Sequence, residues 1–363
     1  MDGTLLGDDG RVSPRNLAAL RAAQAAGIEV VIATGRRHSY ALHVLRPLGL
    51  DPSSVLISSN GTVTRTLGSH SPGSEPVPSQ LIARTYLPRA TALWLCGHVE
   101  EFRNALVLTF DRVGPDGDDV RGALVVEHLD ELNASIGNWM AANEPYIAHV
   151  NPIENALVSN ANAGGSNSDA PIQAMLCGTV DRMRRAEARL LEHPGVIASG
   201  HPSGRSGRTM NGASDQPKSP GAPSMTAAGV PGERSWLAGV VASWVGSKTS
   251  EPQREPAPIL ALNRTDYPSR DLSILDILPA GCSKGAALLS LAATRGVDAA
   301  QVLAIGDNWN DVSMLEAAGA AILMDNAPED LKVLARARGW RIGPSNRDDG
   351  VAQAIEAALA VTC

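Results

Sequence analysis

The sequence predicts a doubly wound α/β core that carries an inserted α+β domain. Short β-branched segments alternate with helical segments at the start of the chain, and this order is typical of a parallel sheet. The same alternation returns near the end of the chain, whereas the segments between the two ends follow a different order. We therefore expect one core built from both ends of the chain and a cap domain inserted between them.

The first helix and the first two strands are marked by local signals. Ser13 is a candidate N-cap, Pro14 suits the first helical position, and Gly27 ends the helical segment. Residues 28–33 (IEVVIA) and 55–58 (VLIS) are short apolar runs of the kind found in strands buried on both faces. A strand, a helix and a second strand in this order predict a parallel sheet.

The C-terminal segment repeats this pattern. Its apolar periodicity predicts helices over residues 284–294, 312–318 and 328–337, and strands over residues 302–305 and 321–324. These elements extend the same core.

The middle of the chain has a different composition. Its predicted strands cover residues 105–110, 123–127 and 172–178, with a long helical region after the second and a helix over residues 181–192. Residues 199–258 are rich in Gly, Ser and Pro, which predicts a disordered insertion, although residues 236–245 (WLAGVVASWV) are apolar and could be a cap element or a loop. We predict a core of residues 1–75 and 268–363 and a cap of residues 76–267.

The composition narrows the class of protein and of partner. The chain has 363 residues, a net charge of -7 and a pI near 5.6, which argues against binding to nucleic acid or to an anionic membrane. Its 4 cysteines form no CxxC pair, so they predict neither a disulfide scaffold nor a zinc site. We expect a cytoplasmic protein that acts on a small molecule.

Residues 305–311 (IGDNWND) carry the strongest cluster of polar side chains. Asp307, Asn310 and Asp311 follow a buried strand, and open α/β sheets bind their ligands at the carboxyl ends of such strands. Hard oxygen donors in this position suit Mg²⁺. The structural alternative is that Asp307 or Asp311 caps the helix that begins near Val312. On this motif alone, metal binding and helix capping are equally plausible interpretations.

Three further motifs favour the functional reading. Asp2-Gly3-Thr4 opens the chain, Thr34-Gly35-Arg36 follows a buried strand, and Lys284 begins a helix. With the Asp307 motif, these residues resemble the haloacid dehalogenase-like phosphatases, in the Cof-type or IIB branch with a large C2-type cap. The resemblance covers residues 1–61 and 272–350 closely, and it implies a Rossmann-like core with a cap inserted between Asn60-Gly61 and the lysine.

The resemblance implies a role for each matched residue. Asp2 would be the general acid/base, and its backbone carbonyl would bind the metal together with Asp307. Thr34, Lys284 and Asn310 would contact the phosphoryl group or the substrate, and Asp311 would orient Lys284 or a metal-bound water as a second-shell carboxylate. The implied cofactor is Mg²⁺ and the implied partner is a small phosphorylated metabolite.

Some of these positions also have ordinary structural explanations. A lone threonine at a strand end is usually structural, and a lysine at a helix N-terminus is usually solvated although the helix dipole disfavours it there. Gly35, Arg36 and Asn60 match substrate-binding positions, but an arginine at a helix start and an asparagine in an Asn-Gly turn are common in loops. His38, two residues after Arg36, could contact the substrate, but we expect a surface position for it.

One departure from the family pattern concerns the nucleophile. The family motif has an aspartate two positions before the general acid, and this position would precede Met1. The chain beginning at Met1 is therefore expected to be nearly inactive, and the first apolar strand is expected to precede it.

The predicted reaction is Mg²⁺-dependent hydrolysis of a phosphomonoester such as a sugar phosphate, through an aspartyl phosphate. A phosphomutase and a non-catalytic protein that binds a phosphorylated ligand are the alternatives.

Overall fold

The described part of the chain contains three β-sheets with helices packed against them. The computed structural model describes residues 1–69, 77–114, 117–128, 130, 137–158, 170–198, 257–267 and 270–362. All but the last two residues of the insertion predicted over 199–258 lie outside these ranges, as does the apolar stretch 236–245. None of the helices in the described ranges is both long enough and apolar enough to span a bilayer.

The N-terminal segment forms a four-stranded sheet. Its helices are α1 (Pro14–Ala25) and α2 (His38–Leu45), and its strands are β1 (Val31–Ala33), β2 (Val55–Ser58), β3 (Val63–Thr66) and β4 (Leu81–Arg84). Ser13 caps α1 as predicted, since its hydroxyl accepts from the backbone N–H of Asn16. Strand β1 pairs parallel with β2, whereas β3 and β4 add antiparallel strands that the sequence did not predict.

The C-terminal segment forms a three-stranded parallel sheet. Its elements are α6 (Lys284–Arg295), β12 (Leu303–Gly306), α7 (Val312–Ala317), β13 (Ala320–Met324), α8 (Glu329–Arg338), β14 (Arg341–Gly343) and α9 (Gly350–Thr362). The strand order is β12-β13-β14. The predicted elements of this segment are confirmed to within two residues at each end.

The inserted region forms a seven-stranded sheet. Its strands are β5 (Leu106–Thr109), β6 (Leu124–Val126), β7 (Ile147–His149), β8 (Gln173–Gly178), β9 (Val196–Ala198), β10 (Leu260–Tyr267) and β11 (Leu272–Pro279). Its described helices are α3 (Arg89–His98), α4 (Gly137–Asn143) and α5 (Val180–Leu191). The long helical region predicted after residue 127 is wrong where the structure describes it, because the short helix α4 and strand β7 occupy part of it.

The cap sheet extends past the predicted domain boundary. Strands β10 and β11 pair antiparallel from Leu260↔Pro279 to Tyr267↔Leu272, and β11 also pairs with β8 in the middle of the sheet. A boundary at residue 268 would separate two strands that share a full ladder of hydrogen bonds. We therefore propose that the cap ends after Pro279.

Aliphatic side chains fill the core because the chain has few aromatic residues. Leu56 of β2 and Leu42 of α2 are buried in one cluster, to which fully burying each leucine contributes roughly 1.5–3 kcal/mol. Met1 belongs to the same cluster, together with Ile32 of β1 and with Ile305 of β12 packed against it. Met1 therefore lies where the four-stranded and three-stranded sheets approach each other.

Candidate active site

The first residues of the chain form a loop that contacts Asp307. Gly3 has a φ of +69°, and a Cβ added at this position would lie 2.2 Å from Oδ2 of Asp307. The Thr4 hydroxyl donates a hydrogen bond to Oδ1 of the same carboxylate. Gly3 is required both for its backbone conformation and for this close approach. The loop and Asp307 thus form one unit, as the motif pattern predicts.

A buried ion pair joins Lys284 to Asp311. The Lys284 ammonium donates to Oδ1 of Asp311 over 2.7 Å, and both side chains are buried. Burial alone would raise the pKa of Asp311, but the charges of Lys284 and of the Met1 amino group hold the pKa below its ordinary value. Asp311 is therefore a carboxylate that fixes the position of the lysine.

Asp311 also takes part in helix capping. Its Oδ2 accepts from the backbone N–H groups of Asp307 and Asn308 at 3.0 and 3.1 Å. The Asn308 side chain in turn accepts from the backbone N–H of Asp311, which completes a capping box around the short 3-10 turn Trp309–Asp311. The predicted capping of the helix that begins at Val312 is wrong, because Asp311 makes no side-chain hydrogen bond to that helix. One Asp311 oxygen caps the preceding turn and the other binds Lys284.

Asp307 lies in an environment that disfavours its charged form. Burial, together with the nearby Asp311 carboxylate, raises the pKa of this carboxyl to about 6 against the opposing charges of the Met1 amino group and Lys284. A cation beside Asp307 would reverse both effects.

The donor set at Asp307 fits a magnesium ion. Mg²⁺ binds few protein ligands, typically one or two carboxylates together with carbonyl, water or phosphate oxygens. Asp307 supplies one half-buried carboxylate, and the contact with Gly3 brings the backbone of the opening loop beside it. Within the described ranges no group of three or more His, Cys, Asp or Glu side chains could hold a metal ion, so a site here would rely on backbone and phosphate oxygens.

The loop after β1 meets the loop after β2. The buried Thr34 accepts through its hydroxyl from the Arg36 N–H at 3.1 Å, and through its carbonyl from the Asn60 N–H at 3.1 Å. Asn60 has a φ of +54° and accepts from Nδ2 of Asn310 at 3.2 Å. Gly35 packs against both amides, since a Cβ there would lie 3.0 Å from Oδ1 of Asn60. These predicted residues therefore converge at one edge of the sheets.

Arg36 forms an ion pair with Asp2. Its Nε donates to Oδ2 of Asp2 at 2.8 Å, and the Asp2 side chain is 59% exposed. Exposed pairs of this kind add little stability. The pair places the predicted general acid/base beside the predicted substrate arginine.

Asp276 of the cap strand β11 enters the site, and the sequence did not predict it. Its Oδ2 accepts from Nδ2 of Asn60 at 2.9 Å. Burial raises the pKa of Asp276 to about 7, while Asn60 and the charge of Lys284 oppose the rise. In the sequence, this residue could have been noticed as the single carboxylate within the apolar segment 272–279 (LSILDILP).

The family model for haloacid dehalogenase-like hydrolases matches residues 1–86 and 260–355, which together make half of the chain. The chain belongs to this family. The matched residues include every catalytic motif described above, so the resemblance seen in the sequence is confirmed.

One sequence relative matches part of the chain, and solved structures share its fold. The chain is 42% identical over 86 residues to the 5-amino-6-(5-phospho-D-ribitylamino)uracil phosphatase YwtE of Bacillus subtilis, a match that covers 24% of this chain and 29% of that protein. A haloacid dehalogenase-like hydrolase from Bacteroides thetaiotaomicron superposes with a TM-score of 0.59 at 20% identity, covering 98% of this chain and 96% of that one. The subclass IIB sugar phosphatase BT4131 superposes with a TM-score of 0.57 at 17% identity, over 98% and 95% of the two chains. The structural matches establish the Rossmann-like core with an inserted cap.

His38 is the first residue of α2, directly after the Thr34–Arg36 loop. The surface position expected for it is wrong. The side chain is only 3% exposed. Burial, with a smaller effect from the charge of Arg65, lowers its pKa to about 4. His38 is therefore a buried, neutral side chain in the folded protein.

Replacing Asp276 by asparagine is expected to stabilise the protein in a pH-dependent way. Because the pKa of Asp276 is raised from 3.8 to about 7, the folded state binds more protons than the unfolded state between these values. Wild-type stability therefore falls as pH rises through this window, by about 4 kcal/mol at most. Asp276→Asn keeps an acceptor for Asn60 and lacks this titration.

Urea unfolding at pH 5 and pH 8 measures the effect. The stability difference between Asp276→Asn and wild type should favour the variant more at pH 8 than at pH 5. Asp298→Asn, at an exposed helix cap, is the control and should show no such trend. A difference that is equal at both pH values would contradict a titrating Asp276.

Proposed function

We propose that this protein is a Mg²⁺-dependent phosphomonoesterase that acts on a small phosphorylated metabolite through an aspartyl phosphate. The observation that carries the proposal is the buried cluster of Lys284, Asp311 and Asp307 beside the opening loop. The cluster offers one fixed ammonium and one half-buried carboxylate suited to a cation. These are the charges that a transferring phosphoryl group requires.

The roles of the surrounding residues follow from their positions. Lys284 would neutralise charge on the phosphoryl group, held in place by Asp311. Thr34 and Asn310, at the ends of neighbouring loops, would donate hydrogen bonds to phosphoryl oxygens or substrate. Asp2 would protonate the leaving alcohol and then deprotonate the attacking water. Mg²⁺, when bound at Asp307, would supply further positive charge to the phosphoryl oxygens.

A sugar phosphate is the substrate class we favour. BT4131 is named a sugar phosphatase, and YwtE is named for a substrate with a phosphoribityl group. The cap contributes Asp276 at the Asn60 side of the site, where a buried acceptor can bind a hydroxyl of the leaving group. A cap over the site would also exclude bulk water during transfer. A cytoplasmic location remains a prediction from the sequence.

We propose that a carboxylate added directly before Met1 would serve as the nucleophile. The Met1 amino group is buried, and burial lowers its pKa, with the charge of Lys284 acting in the same direction. Its other charged neighbours include Asp307 and Asp311. A carboxylate one residue before this nitrogen would lie beside Lys284 and the proposed metal site.

Metal dependence tests the proposed chemistry. A chain extended by the nucleophile should release phosphate from a panel of sugar phosphates with Mg²⁺, and release should cease in a chelator. Asp307→Asn removes the carboxylate while keeping its shape, and we expect a rate loss of roughly 10²-fold or more. Asp325→Asn, a control on an exposed side chain, should keep full activity. Undiminished turnover in the chelator would contradict the proposal.

A further inference from the structure

The side chain of Asn60 links the cap strand β11 to the loop after β12. Asn60 is fully buried, in the turn that follows β2. Its Nδ2 donates to Oδ2 of Asp276 at 2.9 Å, and its Oδ1 accepts from Nδ2 of Asn310 at 3.2 Å. Its backbone N–H donates to the carbonyl of Thr34 at 3.1 Å. A chain of hydrogen bonds therefore runs from Asp276 in the cap through Asn60 to Asn310.

The carboxylate of Asp276 sets the direction of this chain. An ionised carboxylate only accepts hydrogen bonds, so Asn60 must turn its NH₂ group toward Asp276. The oxygen of the Asn60 amide then faces Asn310, which must donate to it. An Asn60 amide rotated by half a turn would instead place its NH₂ group against Asn310 and would require Asn310 to turn over as well. The charge on Asp276 thus determines which atoms of Asn310 face Asn60 and which remain for a ligand.

Close backbone contacts hold the turn that carries Asn60. A Cβ added at Gly35 would lie 3.0 Å from Oδ1 of Asn60 and 3.5 Å from Nδ2 of Asn310. A Cβ added at Gly61 would lie 2.2 Å from the carbonyl oxygen of Ser283. The turn therefore packs against the loop after β1 on one side and against the residue before α6 on the other. Its position is fixed by this packing, and the orientation of its amide is what Asp276 can set.

The cap sheet itself offers a carboxylate at position 276 little compensation. Ile274 and Leu278 lie on the same face of β11, where side chains alternate, and both are apolar. On the neighbouring strands Asp276 pairs with Met175 and Asn263, neither of which carries a charge. Burial raises the pKa of Asp276 to about 7, so its charged form costs stability at neutral pH. Carboxyl groups that are perturbed in this way are concentrated at functional sites.

We propose that Asp276 is a positioning residue, which orients the amide of Asn310 through that of Asn60. The inference deepens the proposed function and rests on it, because there Asn310 contacts the phosphoryl group or the substrate. When Asp276 is protonated, its carboxyl donates as well as accepts, so it no longer holds the Asn60 amide in one orientation. The order of the chain therefore depends on the charge of Asp276.

The described groups that interact electrostatically with Asp276 come from three elements. They are Lys284 of α6, Tyr267 of β10 and Cys177 of β8. The charge of Lys284 opposes the rise in the pKa of Asp276. Burial raises the pKa of both Tyr267 and Cys177, so these two side chains stay neutral near pH 7. Protonation of Asp276 is therefore the change that the Asn60 amide experiences near this pH.

Nuclear magnetic resonance of the full chain, with ¹⁵N in its asparagines and without Mg²⁺ or ligand, tests the proposal. The side-chain signal of Asn310 is identified by its loss in Asn310→Ala. It should shift between pH 5 and pH 9 with a midpoint near 7, the pKa of Asp276, and the shift should be absent in Asp276→Asn. Asn60→Gly removes the amide between the two residues and suits the positive φ at this position, so it should also abolish the shift.

Asp181→Asn is the matched control, because it makes the same charge change at an exposed side chain of the cap helix α5. It should leave the titration of Asn310 unchanged. An unchanged shift in Asp276→Asn would come from another group of the site, such as Asp307 with its pKa of about 6, and would overturn the proposal. An Asn310 signal that does not titrate in the wild type would overturn it as well. If Asn60→Gly does not fold, Asp276→Asn carries the test.

Affinity for inorganic phosphate, measured by calorimetry with Mg²⁺ at pH 8, links this positioning to ligand binding. Asp276→Leu removes the acceptor, and affinity should fall roughly fivefold, the loss expected for one well-placed hydrogen bond. Asp276→Asn, which can still accept from Asn60, should retain most of the affinity. Wild-type affinity in a folded Asp276→Leu would overturn the positioning role. If the wild type binds no phosphate, the proposed function fails, whereas the titration of Asn310 still tests the chain of hydrogen bonds.

Discussion

A chain extended before Met1 by four or five apolar residues and a final aspartate is expected to hydrolyse small phosphate esters. Turnover is expected to fall steeply when this aspartate is left out of the extension. Phosphate monoesters are among the slowest substrates to react without catalysis, with accelerations of up to about 10²¹ in the most efficient enzymes. Removing the nucleophile should therefore remove most of the catalytic effect, whereas the extended chain should reach a kcat on the order of 1 to 10³ per second.

The structure gives the reason for the length and composition of the added segment. Met1 packs in a cluster with Ile32 of β1, and Ile305 of β12 packs against the same cluster. These strands belong to two sheets that share no ladder among the described residues. An apolar strand ending before Met1 could pair with both and join them into one parallel sheet. It would also replace a buried amino group, which burial disfavours in its charged form, by a neutral peptide N–H.

The matched control is the same extension ending in asparagine. It restores the strand without the nucleophile, so it should raise the free energy of unfolding as much as the aspartate version while remaining inactive. Phosphate release from sugar phosphates and urea unfolding of all three chains separate these effects. Equal turnover by the asparagine and aspartate extensions would contradict the assignment of the nucleophile.

The sequence predicted the parts of the fold that are specified by local signals. Ser13 and Pro14 define the start of α1, and residues 55–58 form β2 as predicted, because capping and apolar runs act over a few residues. The motifs around Thr34 and Asp307 also came together as expected, whereas Lys284 reaches them from the helix that follows the antiparallel strand β11. Parallel strands direct their carboxyl ends to one edge, so motifs that follow such strands meet there.

Contacts between distant segments could not be predicted in the same way. Asp276 enters the site only because β11 pairs with β8 and β10 in the cap sheet, and nothing local to residues 272–279 specifies that pairing. Likewise, Arg65 and Arg84 share Asp111 because the β3–β4 hairpin packs against a cap loop far along the chain. Such ion pairs depend on tertiary packing, which single-residue patterns do not encode.

Replacing Lys284 by methionine is expected to destabilise the chain strongly, even without any catalytic activity. The substitution leaves the Asp311 carboxylate buried without its cation, and breaking a buried pair in this way costs about 3–5 kcal/mol. The pKa of Asp311 is lowered in the fold, so the contribution of the pair is present above the unfolded pKa of about 4 and is lost as pH falls through the folded pKa. The loss should therefore be largest near neutral pH and smaller in acid, as measured by urea unfolding.

The double variant Lys284→Met/Asp311→Asn separates the ion pair from general packing. Asparagine keeps an oxygen that can accept from the N–H groups of Asp307 and Asn308, so the double variant should regain much of the stability that Lys284→Met loses. The exposed pair Arg15 and Glu356 serves as the control, and the same cycle with glutamine at both positions should change stability little. If the double variant is no more stable than Lys284→Met, the destabilisation comes from lost packing around the lysine stem and not from an unpaired charge. In the extended chain the double variant should stay inactive although it is folded, because the ammonium that faces the phosphoryl group is absent.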